Sequence, residues 1–254
     1  MLSFVGLGLY DERSITVRGR DELERADRAF AEQYTSRLAG ASLADLGSAH
    51  GMNIESRDRV GVEQDPEPVL AAADTGRVAF LVGGDPMVST THVDLRLRAH
   101  DRGIETRVVH GTTAQTAASS LTGLQNYRFG TATTLPFPET HGGVPDSVLD
   151  TIGANRERGL HTLVYLDIHA AEDRLMTGDT AAGLLADHFD CPGVVVARAG
   201  SDDPLVRADE LSTLATEPFG PPLHLLVIPG DLHPLERDAL SAFGDAPAAA
   251  LDGN

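Results

Sequence analysis

The chain predicts an α/β protein of two domains built on mostly parallel or mixed sheets. Three observations carry that expectation. Short apolar runs alternate with amphipathic stretches along most of the 254 residues, as strands separated by helices do. Loops rich in glycine or small residues follow several of the apolar runs, where parallel sheets place their ligand loops. A segment with three Pro and two Gly, residues 134–145, interrupts the alternation. The expected division is therefore an N-terminal α/β domain over 1–134, a linker over 135–145 and a C-terminal α/β domain over 146–254.

The elements follow in order. Residues 2–7 read as a buried strand ending in Gly6-Leu7-Gly8, 16–27 as a helix rich in Arg and Glu, and 42–50 as a short helix. Asp65-Pro66-Glu67 opens a helix to about residue 73, with a cap residue, a first-turn Pro and an acid near the positive dipole end. Residues 77–82 form the next strand, and Gly83-Gly84-Asp85-Pro86 turns the chain. Thr91 and Asp94 have capping-box spacing and open a helix to about 101. A strand over 104–109 and a small-residue helix over 113–121 complete the first half. The second half reads as helix 146–158, strand 161–167, helix 179–188, strand 193–198, helix 204–214, strand 223–228 and helix 234–243. The tail 246–254 reads as frayed.

Charge narrows the functions. The chain has 38 Asp+Glu against 20 Lys+Arg, a net charge of −18, and every one of the 20 basic residues is Arg. Such a field repels phosphate backbones, which argues against nucleic acid as a ligand. Without Lys there is no Schiff-base or P-loop lysine. A solvated acidic surface is the plain reading; adaptation to high salt, where screening removes carboxylate repulsion, is the sharper one. No apolar run approaches a membrane span, and the start Met1-Leu2-Ser3-Phe4-Val5-Gly6 lacks a basic leader region. A single cysteine, Cys191, allows no internal disulfide. A cytoplasmic protein is the expectation.

Four loop sets are candidate sites. Gly6-Leu7-Gly8-Leu9-Tyr10-Asp11 begins like a dinucleotide fingerprint but has Asp11 where the third Gly belongs. The glycines serve either a tight turn or close ligand approach. In 82–92, Asp85 could accept hydrogen bonds from ribose hydroxyls or an amino group, or cap its own turn. His110-Gly111-Thr112-Thr113-Ala114 leaves room for a flat ring, or is a plain loop. Leu166-Asp167-Ile168-His169 and Arg198-Ala199-Gly200-Ser201 end strands of the second half. No G-x-S-x-G, H-E-x-x-H or C-x-x-C is present, and no His spacing marks a metal site. Cys191, beside Pro192, reads as core.

Jointly these motifs resemble the diphthine synthases, a branch of the tetrapyrrole-type methylases. The resemblance runs through Gly6-Leu-Gly-Leu-Tyr-Asp-Glu-Arg-Ser-Ile-Thr-Val-Arg-Gly19, Ala31-Glu-Gln-Tyr-Thr-Ser36 and Gly84-Asp-Pro-Met-Val-Ser-Thr-Thr-His92. It continues through Gly123-Leu-Gln-Asn-Tyr-Arg-Phe-Gly130, Gly159-Leu-His-Thr-Leu-Val-Tyr-Leu-Asp-Ile168, Ala197-Arg-Ala-Gly-Ser201 and Pro221-Pro-Leu-His-Leu-Leu-Val-Ile-Pro-Gly230. It covers nearly the whole chain, in order, and with the charge it points to an archaeal, halophilic type.

The resemblance implies two α/β domains with S-adenosylmethionine in the cleft between them, usually in a homodimer. It implies trimethylation of the amino group on the 3-amino-3-carboxypropyl-histidine of translation elongation factor 2, giving diphthine, in diphthamide biosynthesis. Carried over residue by residue, the cofactor positions are Leu9, Asp85, Val88, Thr113, Ala114, Leu166, Ala199 and His224. Several would act through backbone groups, and no residue is marked as a catalytic base. Val82-Gly83 departs from the Thr-Pro common in the family, and His169 stands where a Lys usually follows Asp-Ile. Sulfonium methyl transfer needs in-line alignment and a neutral amine more than a strong protein base. The alternatives are a methylase of precorrin-type tetrapyrroles and a dinucleotide-dependent oxidoreductase; the incomplete glycine fingerprint counts against the latter.

Overall fold

A computed structural model describes residues 1–251, apart from the side chains of Thr140 and Ala171. The chain forms two compact units, residues 1–113 and 114–254. The division falls ahead of the expected domain boundary at 134/135. The physical reason is that residues 114–135 pack into the second unit. Ala118 and Leu124 join one of its cores, and Thr133–Leu135 pairs into its sheet. The Pro/Gly-rich segment is here part of the second unit rather than a tether between two.

The first unit comprises β1 (Leu2–Gly6), α1 (Val17–Glu24), β2 (Arg28–Glu32), α2 (Leu43–His50), β3 (Ile54–Arg57), α3 (Arg59–Glu63), α4 (Glu67–Thr75), β4 (Val78–Val82), α5 (Val93–Asp101) and β5 (Thr106–Val109). Its sheet is wholly parallel, in the order β3-β2-β4-β1-β5. Both faces are covered, so β1 and β4 are buried at every residue. Phe4, Phe30 and Phe80 point to one core, and Val5, Ala31 and Leu81 to the other. That two-sided burial is why these strands read as continuous apolar runs rather than alternating ones. β2 and β3 escape the run-based reading because their apolar stretches are short and end in charged residues, Glu32 and Arg57.

The caps of this unit are mostly local. Thr16 Oγ1 accepts from the Gly19 N–H, and Ser42 forms a full capping box with Asp45. The capping box expected from Thr91 and Asp94 does not form. Thr91 Oγ1 donates to Glu63 instead, and Asp94 pairs with Arg98 one turn on, at 2.7 Å. The helix starts after His92, whose side chain is drawn into the core.

The second unit comprises α6 (Ala114–Thr122), β6 (Thr133–Leu135), α7 (Pro138–His141), α8 (Asp146–Glu157), β7 (Thr162–Leu166), β8 (Ile168–His169), β9 (Arg174–Leu175), α9 (Gly178–Ala186), β10 (Pro192–Ala197), β11 (Leu205–Glu210), α10 (Leu211–Leu214), β12 (His224–Ile228), α11 (Pro234–Phe243) and α12 (Ala248–Leu251). Its main sheet is mixed, in the order β11-β10-β12-β7-β6, with only β6–β7 parallel.

Two expectations are corrected here. The stretch expected as a helix over 204–214 is β11 followed by one helical turn. Leu205 to Glu210 pair residue for residue with the buried strand β10, and that pairing overrides the helix preference of Leu, Arg, Ala and Glu. The tail is not frayed as far as residue 251: α12 buries Ala250 and Leu251, and Leu251 joins the core of Val194, Val227 and Leu240. Residues 252–254 lie outside the described residues. Cys191 is buried in the other core of this unit, and burial pushes its thiol up to about 11, which fits core rather than nucleophile. No helix among the described residues is long and apolar enough to cross a membrane.

Candidate active site

The parallel sheet of the first unit brings four loops to its carboxyl edge. They follow β2, β4, β1 and β5, which are neighbours in that order. The loops after β1 and β4 are joined by backbone: the Gly84 N–H donates to Gly8 O at 2.7 Å, and the Leu7 N–H donates to Val82 O at 2.9 Å. The contact is close because the residues are glycine. A Cβ on Gly6 would lie 2.5 Å from Gly84 O and 2.6 Å from Gly111 N, and one on Gly111 would lie 2.2 Å from Gly84 O. Gly84 itself has φ +73, a left-handed conformation that side chains disfavour. Gly83, at the departure from Thr-Pro, passes 3.0 Å from the Ser36 side chain, measured from where its Cβ would sit.

Asp85 fastens this cluster. Its carboxylate is buried; Oδ1 accepts from the Met87 N–H at 2.9 Å, and Oδ2 accepts from His110 Nδ1 at 2.8 Å and the Gly111 N–H at 3.3 Å. Of the two readings, the cap of its own turn is met, and the carboxylate also reaches across to the loop after β5. Leu9 is half-buried beside Gly8, and Val88 is 39% exposed beyond the Pro86 turn. Thr113 closes the first unit and Ala114 opens α6 in the second.

Beneath the loops lies a buried polar group that single motifs do not reveal. Glu32 accepts from the Tyr34 and Thr35 N–H groups and from Thr35 Oγ1. His92 Nδ1 donates to Pro86 O at 3.1 Å, which holds the Gly-Asp-Pro turn from below. Burial lowers the His92 pKa, so the ring is held neutral.

In the second unit the carried positions stand at strand ends. Leu166 closes β7 and is buried in a core; Ala199 lies in the turn after β10, between Arg198 (φ +53) and Gly200 (φ +92). His224 opens β12. Its Nδ1 accepts from the Gly178 N–H at 2.9 Å, so Nε2 carries the proton and donates to Pro221 O at 3.1 Å. Burial keeps it neutral, and it caps the amino end of α9. His169 turns back on its own segment, with Nε2 3.2 Å from Asp167 Oδ2 and its ring edge-on to Phe137.

A second polar network braces the 123–130 motif. Glu236, fully buried, accepts from His161 Nε2 at 3.0 Å, the Gln125 N–H at 2.9 Å and Arg128 Nη1 at 3.2 Å. His161 Nδ1 accepts from the Gly230 N–H. With both carboxylate oxygens of Glu236 and both ring nitrogens of His161 engaged, this network fixes a backbone. Sequence spacing could not reveal it, because these partners are 69 to 111 residues apart.

The loop cluster is built mostly from backbone and small residues. Its segments 6–9, 83–88 and 110–114 supply backbone groups, small side chains and one carboxylate, with no Arg to neutralise a pyrophosphate. A two-unit α/β chain with such loops is a methylase in form, and the family model of the Tetrapyrrole (Corrin/Porphyrin) Methylases matches residues 1–215. The chain is 64% identical to a diphthine synthase of Halorubrum lacusprofundi, covering 99% of this chain and all of that one. It is 48% identical to a diphthine synthase of Methanosphaerula palustris, over 96% of this chain and 98% of that one. A crystal structure of a diphthine synthase superposes with a TM-score of 0.91 at 37% identity, over 99% and 98% of the two chains. The chain belongs to this methylase family, in its diphthine synthase branch and of the halophilic archaeal type.

Proposed function

We propose that the protein transfers methyl groups from S-adenosylmethionine to the amino group of the 3-amino-3-carboxypropyl-histidine of translation elongation factor 2, adding three to give diphthine. The observation that carries this is the Asp85-centred cluster, in which loops after β4, β1 and β5 converge on backbone and glycine. Leu9, Asp85, Val88, Thr113 and Ala114 are the donor contacts of that cluster and its continuation into α6. Leu166, Ala199 and His224 keep the role that the resemblance gives them as donor contacts.

When bound, the donor supplies an electrophilic methyl on a positively charged sulfur. The protein's share is to bind, orient and exclude water. Asp85 does this through the loops: its three hydrogen bonds hold the backbone of residues 87 and 111 and the side chain of His110. Preformed geometry of this kind removes the entropic cost of alignment. The enzyme is proposed to act as a homodimer in the cytoplasm, where its acceptor works, without nucleic acid as a direct ligand.

The test is mass spectrometry of elongation factor 2 bearing the unmethylated arm, after incubation with the enzyme and S-adenosylmethionine. Gain of three methyl masses is expected; four would identify a further ester, and none would remove the reading. Calorimetric titration with S-adenosylmethionine against NAD separates the oxidoreductase alternative: tight NAD binding without the sulfonium compound would sink the methylase reading.

A further inference from the structure

The donor cluster contains one side chain that the binding role does not use. His110 leaves the end of β5 with its side chain 79% exposed, yet its Nδ1 is held 2.8 Å from the buried Oδ2 of Asp85. The tautomer follows from the partner. A carboxylate only accepts hydrogen bonds, so Nδ1 carries the proton and the neutral ring presents the Nε2 lone pair to solvent. Asp85 is itself fixed from two other directions, by the Met87 and Gly111 N–H groups, so the ring is aimed by a rigid anchor. An exposed histidine gains little stability from such a bond. A buried carboxylate behind an outward-facing imidazole is the arrangement that orients a general base.

We propose that His110 Nε2 takes the proton from the acceptor amine before each methyl transfer, with Asp85 as the positioning residue behind it. The proposal rests on the reading of these loops as the donor site. The acceptor reaches the enzyme as an ammonium group, which has no lone pair for the methyl. His110 removes one proton and becomes an imidazolium, whose charge the Asp85 carboxylate stabilises. The freed nitrogen pair forms the C–N bond while the methyl's C–S bond breaks, leaving its electron pair on a now neutral sulfur. The imidazolium then releases its proton to water. Three methyls thus require three protons, and the final quaternary nitrogen has none to give, so the sequence stops there by itself.

His110→Gln and His110→Ala test this. Gln can still donate to Asp85 and keep the loops tied; Ala leaves open space at an exposed position. Donor affinity is measured by calorimetry, and transfer to elongation factor 2 by mass spectrometry. His110→Gln is expected to bind S-adenosylmethionine within about twofold of the parent, His110→Ala more weakly because its tie to Asp85 is lost, and both to transfer methyl about 100-fold more slowly at saturating donor. Added imidazole is expected to restore much of the rate to His110→Ala and none to His110→Gln, whose side chain fills the position. Parent-like transfer by either variant would overturn the proposal. Slow transfer without rescue of His110→Ala would also overturn it, and would mark His110 as a tether only. Failure of the parent itself to bind S-adenosylmethionine would instead remove the donor reading, and the proposal with it.

Discussion

Asp85 shows how one residue can fasten several loops at once. The Gly-Asp-Pro turn was legible in the sequence as a place for a carboxylate, and its own-turn cap follows from Asp before Pro. Its reach to His110 and Gly111, 25 and 26 residues away, was not legible, because only the parallel order β4-β1-β5 brings those loops together. The same holds for His224, a visible motif residue whose role as the cap of α9 depends on a partner 46 residues distant. Replacing Asp85 by Ala leaves two partly buried backbone donors without the carboxylate, at a cost of about 1–2 kcal/mol each. Asp85→Ala is therefore expected to lose about 2–4 kcal/mol of stability in the first unit by denaturant titration. By calorimetry it is expected to bind S-adenosylmethionine at least tenfold more weakly. An unchanged affinity would show that the anchored loops do not form the donor site.

At the level of elements, helices were easier to anticipate than strands. The helix expected over 234–243 matches α11 end to end, because its Pro and capping acid announce its start. Strands whose partners decide their state were harder, as β11 shows. The glycine loops were legible as turns after strands but not as mutual contacts: Gly6, Gly84 and Gly111 are needed because three strand ends converge, a fact of sheet order rather than of motif. Gly111→Ala places a methyl 2.2 Å from Gly84 O, against backbone that cannot swing away. It is expected to cost about 1–3 kcal/mol and to abolish measurable donor binding. Gly153, inside α8, offers the opposite case, since a Cβ added there would meet nothing within 4 Å. Gly153→Ala is expected to stabilise by about 0.5–1 kcal/mol. Equal effects of the two substitutions in thermal unfolding would contradict the close packing of the loops.

For the whole molecule, the question is what holds together a chain with 18 uncompensated negative charges. Arginine answers part of it. Arg102 meets Glu67 with two parallel hydrogen bonds, at 3.1 and 2.7 Å, and Arg207 meets Glu217 likewise, at 3.0 and 3.2 Å. A lysine offers no such fork, so the exclusive use of Arg gives each cation its firmest hold on a carboxylate. These pairs are mostly exposed and contribute little singly, and 38 acids against 20 cations leave repulsion in excess. Added salt acts on both terms. The screening length falls from about 10 Å at 0.1 M to about 3 Å at 1 M. Contacts of 2.7–3.2 Å are comparable with that length even at 1 M, whereas the repulsion among scattered carboxylates acts over longer distances. Salt should therefore remove repulsion faster than it weakens the pairs. Calorimetric melting in KCl from 0.1 to 3 M is expected to show the unfolding temperature rising, with most of the gain reached by about 1 M, where screening is nearly complete. A continued linear rise to 3 M would assign the stabilisation to ion exclusion from the surface instead. A fall with KCl would mean that the arginine pairs, and not the repulsion they oppose, govern the charge balance of the fold.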